Sequence, residues 1–399
     1  MPDFVNLLRG ANAILKENIL PFWLEKMTDT ENGGFWGRID GEGVIHPSAE
    51  KGAVLNTRIL WSFAAAYRVT GDVSYRDAAF RAKKYLLDHF YDEEFGGVYW
   101  TVTAEGQPGV TKKQIYALGF AVYGLSELYR ATGDTESLEY AIRLFHTLEE
   151  YSFDRDKNGY FEAFTRDWKE IRDMRLSEKD ANEKKTMNTH LHILEPYTNL
   201  YRVWKDEELK GKLSNLVELF LDRIIDSETG HLRLFFDEDW NSKCDVFSYG
   251  HDIEASWLLY EAADVLGDYA LSDRVKQVLP AILGASAEGL RADGSLVYEK
   301  EGRAGEVDEE RHWWVQAESV VGFLNAYQVL GDLKYADISR AAYRYIEEHL
   351  LDMESGEWYW SILPDGTVNR KEDKAGLWKC PYHNARMCLE VMERLTERQ

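Results

Sequence analysis

Two kinds of hydrophobic pattern follow each other along the chain. Residues 59–67 are apolar nearly all round and predict a buried helix, whereas residues 75–87 carry Lys, Arg and Asp on one face and predict a surface helix. Between them stands Gly71 followed by Asp72, a glycine that ends one helix and an acidic residue that caps the next. Each such pair of segments therefore predicts a helical hairpin.

The hairpin recurs along nearly the whole chain. A tyrosine near the end of the buried helix marks five copies, at Tyr67, Tyr129, Tyr201, Tyr260 and Tyr327. Each period also contains an acidic turn that ends in glycine and leads into a short aromatic or β-branched run. The turn glycines are Gly34, Gly97, Gly159, Gly230, Gly294 and Gly356, and they lie 63, 62, 71, 64 and 62 residues apart. A nearly constant period indicates a repeat architecture.

Six periods account for nearly all of the 399 residues, so we expect one catalytic domain over residues 1–399. The predicted fold is all-α, an (α/α)6 barrel of six inner and six outer helices with short turn-strands. An open array would need polar capping repeats at both ends. Trp23 and residues 387–395 instead look like ordinary helix faces that pack together, which favours a closed ring.

Composition narrows the possible partners. The net charge is −23, because 70 acidic residues oppose 47 basic ones, and such a surface repels nucleic acid and anionic lipid. No secretory segment and no run of 18 apolar residues is present. The three cysteines, Cys244, Cys380 and Cys388, cannot all pair within the chain, which suits a reducing compartment. We expect a cytoplasmic monomer with no nucleic-acid or membrane partner.

Aligning the buried helices on their terminal tyrosines reveals a column of unusual residues. Positions 13, 9 and 6 residues before each tyrosine share one helix face. The middle position holds Arg58, Phe120, His192, His251 and Glu318 in the five marked helices. The last inner helix lacks the tyrosine, and placing His383 in the middle position gives the stripe Lys379, His383, Arg386.

A buried ionisable group is costly unless it is paired or used. One such residue would more often be a structural core group, but three histidines and two further charged residues in one ring predict a pocket. They should converge where the inner helices begin, at the mouth of the barrel. The neighbouring positions of the column hold Tyr116, Asn188, Glu195, Glu254 and Trp314.

The histidines indicate proton transfer. An imidazole pKa near ~6.5 allows a ring to take and give protons at neutral pH. Glu254 follows His251 by three residues, and we expect it to orient that ring and stabilise its charged form. Phosphate-binding, dinucleotide and serine-nucleophile motifs are absent, and Cys380 with His383 has no second Cys/His pair. The predicted chemistry therefore needs no cofactor and no metal.

Other histidines have weaker claims. His190 lies two residues from His192, points elsewhere on a helix, and is predicted to be structural. His89 and His231 are predicted to be structural as well, and His312 is undecided. The 13 tryptophans and 23 tyrosines mostly indicate core packing, although those facing a cavity would suit stacking on sugar rings.

Five segments of the chain resemble the N-acylglucosamine 2-epimerase superfamily, and within it the cellobiose 2-epimerases. These segments are residues 51–61, 186–195, 248–257, 313–322 and 378–387. The resemblance spans essentially the whole chain. It implies an (α/α)6-barrel isomerase that inverts C2 of the reducing-end glucose of cellobiose or lactose through ring opening and a cis-enediol. The functional positions that it implies are Arg58, Tyr116, Asn188, His192, His251, Glu254, Trp314, Trp378 and His383.

The expected roles follow from this reaction. His251 and His383 come from different helices and would serve the two faces of C2, while a histidine moves a proton between O5 and O1. Arg58 is cationic at any working pH and would hold the enediolate oxygen. Trp314 and Trp378 would stack on the second sugar. The catalytic set is His251, His383, His192, Glu254 and Arg58, and the substrate-binding set is Tyr116, Asn188, Trp314, Trp378 and Glu318.

Alternatives remain open at this point. A mannose isomerase or a monosaccharide 2-epimerase of the same superfamily would share the enediol. An (α/α)6 glycoside hydrolase would need two carboxylates flanking the bond, and Glu195, Glu254 and Glu318 are available, but the histidines would be unexplained. A non-catalytic repeat scaffold is the last alternative. The charged stretch 169–185 predicts a mobile loop near the mouth that could alter substrate preference.

Overall fold

The computed structural model describes residues 4–396 and consists of two concentric rings of helices. The outer ring contains α1 (Val5–Ala13), α3 (Val73–Tyr85), α5 (Thr135–Tyr151), α7 (Glu207–Leu219), α9 (Tyr269–Ala287) and α11 (Leu333–Tyr345). The inner ring contains α2 (Ala53–Thr70), α4 (Ile115–Thr132), α6 (Met187–Val203), α8 (Tyr249–Leu266), α10 (Trp313–Leu330) and α12 (Tyr382–Thr396). The predicted pairing of buried and surface helices is confirmed.

The inner ring is closed. Each inner helix contacts the next one along the chain, and α12 returns to contact α2. The outer helix α1 packs on α12, so the two ends of the chain together form one hairpin. Two buried hydrogen bonds strengthen this closure, from Trp23 Nε1 to Glu357 Oε2 at 2.6 Å and from Asn18 Nδ2 to the Asp352 carbonyl at 2.9 Å. The prediction of an (α/α)6 barrel is confirmed.

Local chemistry explains where the helices end. Gly71 adopts a φ of 73°, a left-handed conformation that a side chain would strain, and its N–H bonds to the Tyr67 carbonyl. Asp72 then caps α3 by accepting a hydrogen bond from the Ser74 N–H. The same glycine conformation ends α4, α8 and α10, and aspartates cap α5, α7, α9 and α11.

Several outer helices continue into π-helical turns, a detail that the sequence pattern does not predict. These turns are Ile14–Ile19 and Phe22–Lys26 after α1, Leu86–Phe90 after α3, Phe220–Ile224 after α7 and Ile346–Leu350 after α11. Apart from Ile14–Ile19, which precedes the second π-helical turn, each leads into the acidic turn of its repeat.

Short antiparallel strands surround the mouth. The two-stranded pairs are β1 (Lys51–Gly52) with β2 (Thr101–Val102), β3 (Lys113–Gln114) with β4 (Ala163–Phe164), β5 (Lys185–Thr186) with β6 (Phe235–Phe236), and β10 (Arg311–His312) with β11 (Ser361–Ile362). One sheet has three strands, β7 (Val246–Ser248), β8 (Glu299–Glu301) and β9 (Val307–Asp308). Five of these strands, β1, β3, β5, β7 and β10, lead directly into an inner helix.

A buried lysine ties most of the acidic turns to the mouth. The ammonium group sits against the aspartate that begins the turn, which holds the turn beside the strand or loop that carries the lysine. The pairs are Lys51 with Asp29, Lys113 with Asp92 and Lys185 with Asp154, each at 2.7 Å, and Lys374 with Asp352. Because both partners are buried, we infer that these pairs fix the geometry of the rim more than they add stability.

The rear end of the barrel, where the inner helices finish, has a polar cavity of about 250 Å³. Arginines near the ends of α2, α4, α6 and α12 line it together with carboxylates from neighbouring helices. Arg68 contacts Glu127 at 2.6 Å and Glu393, Arg202 contacts Glu261, and Arg394 contacts Glu390 at 2.7 Å. Cations near helix C-termini also interact favourably with the helix dipoles.

Over residues 4–396, no helix is both long and apolar enough to cross a bilayer. Cys244 is half-buried, Cys380 and Cys388 are buried, and all three thiols are free.

Candidate active site

The predicted site residues lie at the mouth, mostly within the first two turns of the six inner helices. Helix α2 carries Arg58, α4 Tyr116, α6 Asn188 and His192, α8 His251 and Glu254, α10 Trp314 and Glu318, and α12 His383, while Trp378 lies just before α12. Ring contacts join them in two groups. Tyr116 lies 5.0 Å from His192 and 5.9 Å from Trp378, and Trp314 lies 4.8 Å from His251 and 5.5 Å from His383.

Arg58 is a buried cation surrounded by aromatic rings. Its Nη2 donates to the Tyr116 hydroxyl at 2.7 Å, and its guanidinium carbon lies 4.2 Å from the Phe120 ring and 4.6 Å from the Tyr382 ring. Its Nη1 also contacts Cys380 Sγ at 3.8 Å, and its buried Nε has no hydrogen-bond partner. Within the described part of the chain no carboxylate pairs with this charge. It is therefore available to an anionic oxygen of a ligand.

His192 is held from behind by a carboxylate. Its Nδ1 lies 3.1 Å from Glu195 Oε2, and both residues are buried. Glu195 also accepts hydrogen bonds from the Tyr382 hydroxyl and from Arg386. Burial alone would raise the pKa of Glu195, but Arg386 and His192 outweigh it and lower that pKa to about 2. An ionised acceptor at Nδ1 leaves the Nε2 of His192 as the free nitrogen.

His251 has a different support from the one that the sequence suggested. Its Nδ1 pairs with Ser248 Oγ at 2.8 Å, so the prediction that Glu254 orients this ring is wrong. The Glu254 carboxylate instead turns to the inside of the barrel and accepts from Arg386 Nη2 at 2.6 Å. Burial lowers the pKa of His251 to about 3, so the ring is neutral at neutral pH.

His383 is the best-positioned proton acceptor. Its Nδ1 lies 2.7 Å from Glu318 Oε1 and 3.8 Å from Glu254 Oε1. Burial lowers the pKa of His383 well below its usual value, so the neutral ring donates its Nδ1 proton to the carboxylate and keeps Nε2 unprotonated. The placement of His383 on an inner helix agrees with the alignment.

The prediction that Lys379 lies on the last inner helix, in one stripe with His383 and Arg386, is wrong. Lys379 lies before α12, which begins at Tyr382, and its ammonium group binds Glu357 Oε1 at 2.5 Å. Pro381 precedes the first helical residue, which explains why the helix starts later than the alignment assumed.

Arg386 lies beneath the histidines and contacts three buried carboxylates. Its Nη2 lies 2.6 Å from both Glu254 Oε1 and Glu318 Oε1, and its Nη1 contacts Glu195. Burial and the neighbouring Glu318 raise the pKa of Glu254 to about 8, and burial raises the pKa of Glu318. Glu254 therefore carries a proton at neutral pH.

The residues that could bind a metal ion at this site already contact a cationic side chain. Glu254, Glu318 and His383 each offer an atom within 4.8 Å of the others, a spacing that a metal ion could bridge. The guanidinium of Arg386 lies 2.6 Å from both carboxylates, however, and already supplies the positive charge of this cluster.

Two half-buried tryptophans, Trp314 and Trp378, contact other residues of the site. The Trp314 ring contacts both His251 and His383, and the Trp378 ring lies near Tyr116 and 5.8 Å from Trp100. Asn188 is close to the same rim, and its buried Oδ1 has no protein partner among residues 4–396. An unsatisfied amide oxygen and two indole faces suit a polyhydroxylated ligand.

The weaker histidines have structural partners. His190 Nδ1 bonds to the Thr186 carbonyl at 2.6 Å, and its Nε2 accepts from the Tyr160 N–H at 2.9 Å. His231 pairs with Asp252 at 2.7 Å. His312 stacks on Tyr298 with ring centroids 3.9 Å apart, at the rim.

Sequence reasoning did not assign roles to four residues that support the site, Glu195, Ser248, Tyr382 and Arg386. Glu195 and Arg386 stood in the aligned stripes, three residues after His192 and His383, so a signal was present. Ser248 and Tyr382 lie outside the aligned positions. Only their contacts in the folded chain identify them.

The loop over residues 169–185 is anchored beside the site. Gln114 Nε2 donates to the Met174 carbonyl at 3.0 Å, and Lys112 Nζ donates to the Arg175 carbonyl at 2.9 Å. Both donors precede Tyr116 by a few residues, so the loop reaches the edge of the mouth.

Comparison with known proteins decides the family. The sequence profile described as N-acylglucosamine 2-epimerase matches residues 34–386. The chain belongs to the N-acylglucosamine 2-epimerase family. Membership had been predicted from five segments and is confirmed.

Among family members, a cellobiose 2-epimerase from Bacteroides fragilis is 59% identical over 378 residues, covering 95% of this chain and 96% of the relative. A cellobiose 2-epimerase from Ruminococcus albus is 41% identical over 381 residues, covering 95% of this chain and 97% of the relative. The solved structure of cellobiose 2-epimerase from Bacillus thermoamylovorans B4167 superposes with a TM-score of 0.93 at 43% identity, covering 97% of this chain and 99% of that one.

Proposed function

We propose that this protein inverts C2 of the reducing-end glucose of β-1,4-linked disaccharides, converting cellobiose to glucosyl-mannose and lactose to epilactose without a cofactor. The observation that carries the proposal is the pair of neutral histidines, His251 and His383, which come from different helices and both contact the Trp314 ring. The names of the relatives, cellobiose 2-epimerases, support the choice of substrate.

The first step opens the sugar ring. The proton on O1 moves to O5 as the C1–O5 bond breaks, which yields an aldehyde at C1 and a hydroxyl at C5. His192 suits this transfer because Glu195 fixes its Nδ1 and leaves Nε2 free to take and return a proton.

The second step removes the C2 proton. The C1 carbonyl acidifies this proton, and the unprotonated Nε2 of one histidine takes it, so that the electron pair of the C–H bond forms the enediolate. The other histidine, which has taken up a proton from solvent, returns that proton to C2 on the opposite face. The histidine that acted as base then releases its proton to solvent, and ring closure reverses the first step. His251 and His383 supply the two faces; which of them acts as base depends on the direction of the reaction.

Arg58 stabilises the intermediate. Negative charge develops on O1 as the enediolate forms, and a cation already desolvated and free of carboxylates interacts strongly with it. The Tyr116 hydroxyl, which already accepts from Arg58 Nη2, would turn its own proton toward the same oxygen.

The second sugar binds at the rim. Trp378 and Trp314 offer half-buried indole faces, and Asn188 offers an unpaired acceptor to a hydroxyl group. Glu318 acts in this scheme mainly through His383.

We propose that residues 1–399 work as one catalytic domain and that the enzyme acts as a monomer in the cytoplasm. The free thiols of Cys244, Cys380 and Cys388 suit that reducing compartment.

The glycoside-hydrolase alternative loses support from the contacts of the carboxylates. Hydrolysis needs one carboxyl group on each side of the scissile bond. Glu195, Glu254 and Glu318 instead all bind the same guanidinium beneath the histidines.

The test is to incubate the enzyme with cellobiose, lactose, glucose and mannose in D2O and follow the products by NMR. The proposal expects the mannose-ended disaccharide with deuterium at C2, because the histidines exchange their protons with solvent. A ketose as the dominant early product would replace the proposal with a mannose isomerase, in which the proton returns to C1. Release of free glucose from cellobiose would replace it with a hydrolase.

A further inference from the structure

We propose that Arg386 is a positioning residue that holds His192 and His383 in the same tautomer through two carboxylates. The role of the two histidines rests on the function proposed above. The arrangement of the guanidinium, the carboxylates and the imidazoles is a property of the protein without substrate.

Each terminal nitrogen of the Arg386 guanidinium is connected to one of the two histidines through a carboxylate. Nη1 contacts Glu195, whose other oxygen lies 3.1 Å from His192 Nδ1. Nη2 lies 2.6 Å from Glu318 Oε1, and the same oxygen lies 2.7 Å from His383 Nδ1. A single carboxylate therefore bridges each histidine to the planar guanidinium of Arg386.

This connection selects the tautomer of each ring. An ionised carboxylate only accepts hydrogen bonds, so a neutral imidazole beside it must carry its proton on Nδ1. The proton-free Nε2 of both rings is then the nitrogen available for proton transfer. His251, which pairs with the hydroxyl of Ser248, lies outside this connection, because a hydroxyl can donate as well as accept.

Arg386 is needed because the carboxylates outnumber the cations. Three buried carboxylates meet one guanidinium, and a buried carboxylate without a cation takes up a proton instead. A protonated Glu195 or Glu318 could donate to Nδ1 and reverse the tautomer of its histidine. The guanidinium opposes this at Glu195 and Glu318, the two carboxylates that bond to a histidine.

Its own position is rigid. Arg386 is 1% exposed, and its guanidinium lies 4.3 Å from the Tyr382 ring and 4.8 Å from the Trp257 ring. Trp257 Nε1 completes the cluster by donating to Glu318 Oε2 at 3.0 Å. A lysine would keep the charge but has one nitrogen, which cannot reach Glu195 and the Glu254–Glu318 pair together.

The experiment compares Arg386→Lys with Arg394→Lys. Arg394 is a matched control, because it lies two turns further along α12, is 17% exposed at its side chain and binds Glu390 at 2.7 Å and Asn325 at 3.0 Å at the rear end. Turnover and KM on cellobiose are measured, together with thermal unfolding and the imidazole 15N spectrum of histidine-labelled enzyme without sugar.

For Arg386→Lys, kcat is expected to fall about 100-fold, since a misplaced catalytic group costs roughly that much, while KM changes little. The 15N signals of His192 and His383 are expected to move away from the Nδ1–H tautomer, and the signal of His251 to stay. Arg394→Lys is expected to leave kcat and all three signals unchanged.

Unchanged histidine signals in folded Arg386→Lys would overturn the proposal, even if kcat fell. If that variant does not fold, Glu195→Gln and Glu318→Gln replace it, and each should alter the signal of its own histidine alone. Changes in both signals with either variant, or in neither, would also overturn the proposal. The spectra are recorded without sugar, so they decide the matter even if the enzyme fails to epimerise any disaccharide.

Discussion

The two ends of the barrel are both rich in buried charge, but the charges are balanced differently. At the rear end, Arg68 and Arg202 each contact a carboxylate of another inner helix, and Arg394 contacts one of its own helix. All three arginine side chains remain partly exposed. At the mouth, Arg386 serves three carboxylates, while Arg58 pairs with none among the described residues.

The difference separates structural charge from functional charge. A cation matched to its carboxylate has little left to offer a ligand, and it serves the packing of the helix ends. Arg58, a cation without a carboxylate, favours a new negative charge nearby, such as an enediolate. The three carboxylates around Arg386 favour a new positive charge, such as an imidazolium beside Glu318. Changes at the two ends should therefore affect different quantities.

The largest effect is expected at the mouth. His251→Ala and His383→Ala should each lower kcat on cellobiose by roughly 10² to 10⁴, because each removes the proton carrier for one face of C2. Thermal unfolding should stay close to that of the unchanged protein. Initial rates from NMR and the unfolding midpoint measure the two quantities.

His190→Asn is the control for both variants. His190 is buried near the same rim, but it bonds to backbone groups of Thr186 and Tyr160 and not to the other histidines. It should lower the midpoint and leave kcat nearly unchanged. An inactive His190→Asn beside an active His251→Ala would show that the histidines were assigned wrongly.

The next effect concerns stability at the rear end. Glu127 is 1% exposed and accepts from Arg68 at 2.6 Å, so Glu127→Gln should lower the free energy of unfolding by about 1–3 kcal/mol while kcat stays the same. Urea unfolding and initial rates at a temperature where the variant is folded are the measurements. A loss of turnover without a loss of stability would erase the distinction between the two ends.

A smaller effect is expected at the rim of the mouth. Trp378→Ala should lower kcat/KM on cellobiose about tenfold, equivalent to about 1.4 kcal/mol, because a sugar ring loses its stacking partner. The loss on mannose or glucose should be smaller, since these lack the second ring. Equal losses on all three sugars would place Trp378 against the reacting ring.

The acid limb of the pH profile tests the electrostatics of the mouth. A base with the ordinary imidazole pKa would lose activity as the pH falls below about 6.5. The pKa of His251 is lowered to about 3 and that of His383 is also lowered, so both remain unprotonated as the pH falls. Protonation of the base should therefore not lower kcat/KM between pH 7.5 and pH 5.5, and a tenfold fall over this range would contradict the burial of these rings.

Removal of metal ions is expected to have no effect on activity. Arg386 already neutralises the carboxylates that a divalent ion would need. Exhaustive dialysis against a chelator should leave kcat unchanged. Loss of activity that a single divalent ion restores would mean that the guanidinium gives way to a metal.

The sequence was sufficient for the fold because the fold is periodic. Gly71 and Asp72, and their equivalents in the other repeats, act within a few residues of themselves, so their effect can be read locally. The column of Arg58, His192 and His251 was also accessible, because equivalent helices of a ring present equivalent faces to its centre.

Contacts between helices were not accessible in the same way. Glu254 was assigned to His251 because the two are three residues apart, but Arg386, 132 residues away in the chain, takes the carboxylate. Charge pairs of this kind depend on how distant helices of the ring pack together.

The contact of α12 with both α1 and α2 has a consequence for the synthesis of the protein. The other five inner helices leave the ribosome before α12 does, and His383 and Arg386 arrive with it. Until α12 has been made, Glu195, Glu254 and Glu318 lack the cation that binds all three in the folded protein. The closed ring and the charge pairing of the candidate site therefore both require α12.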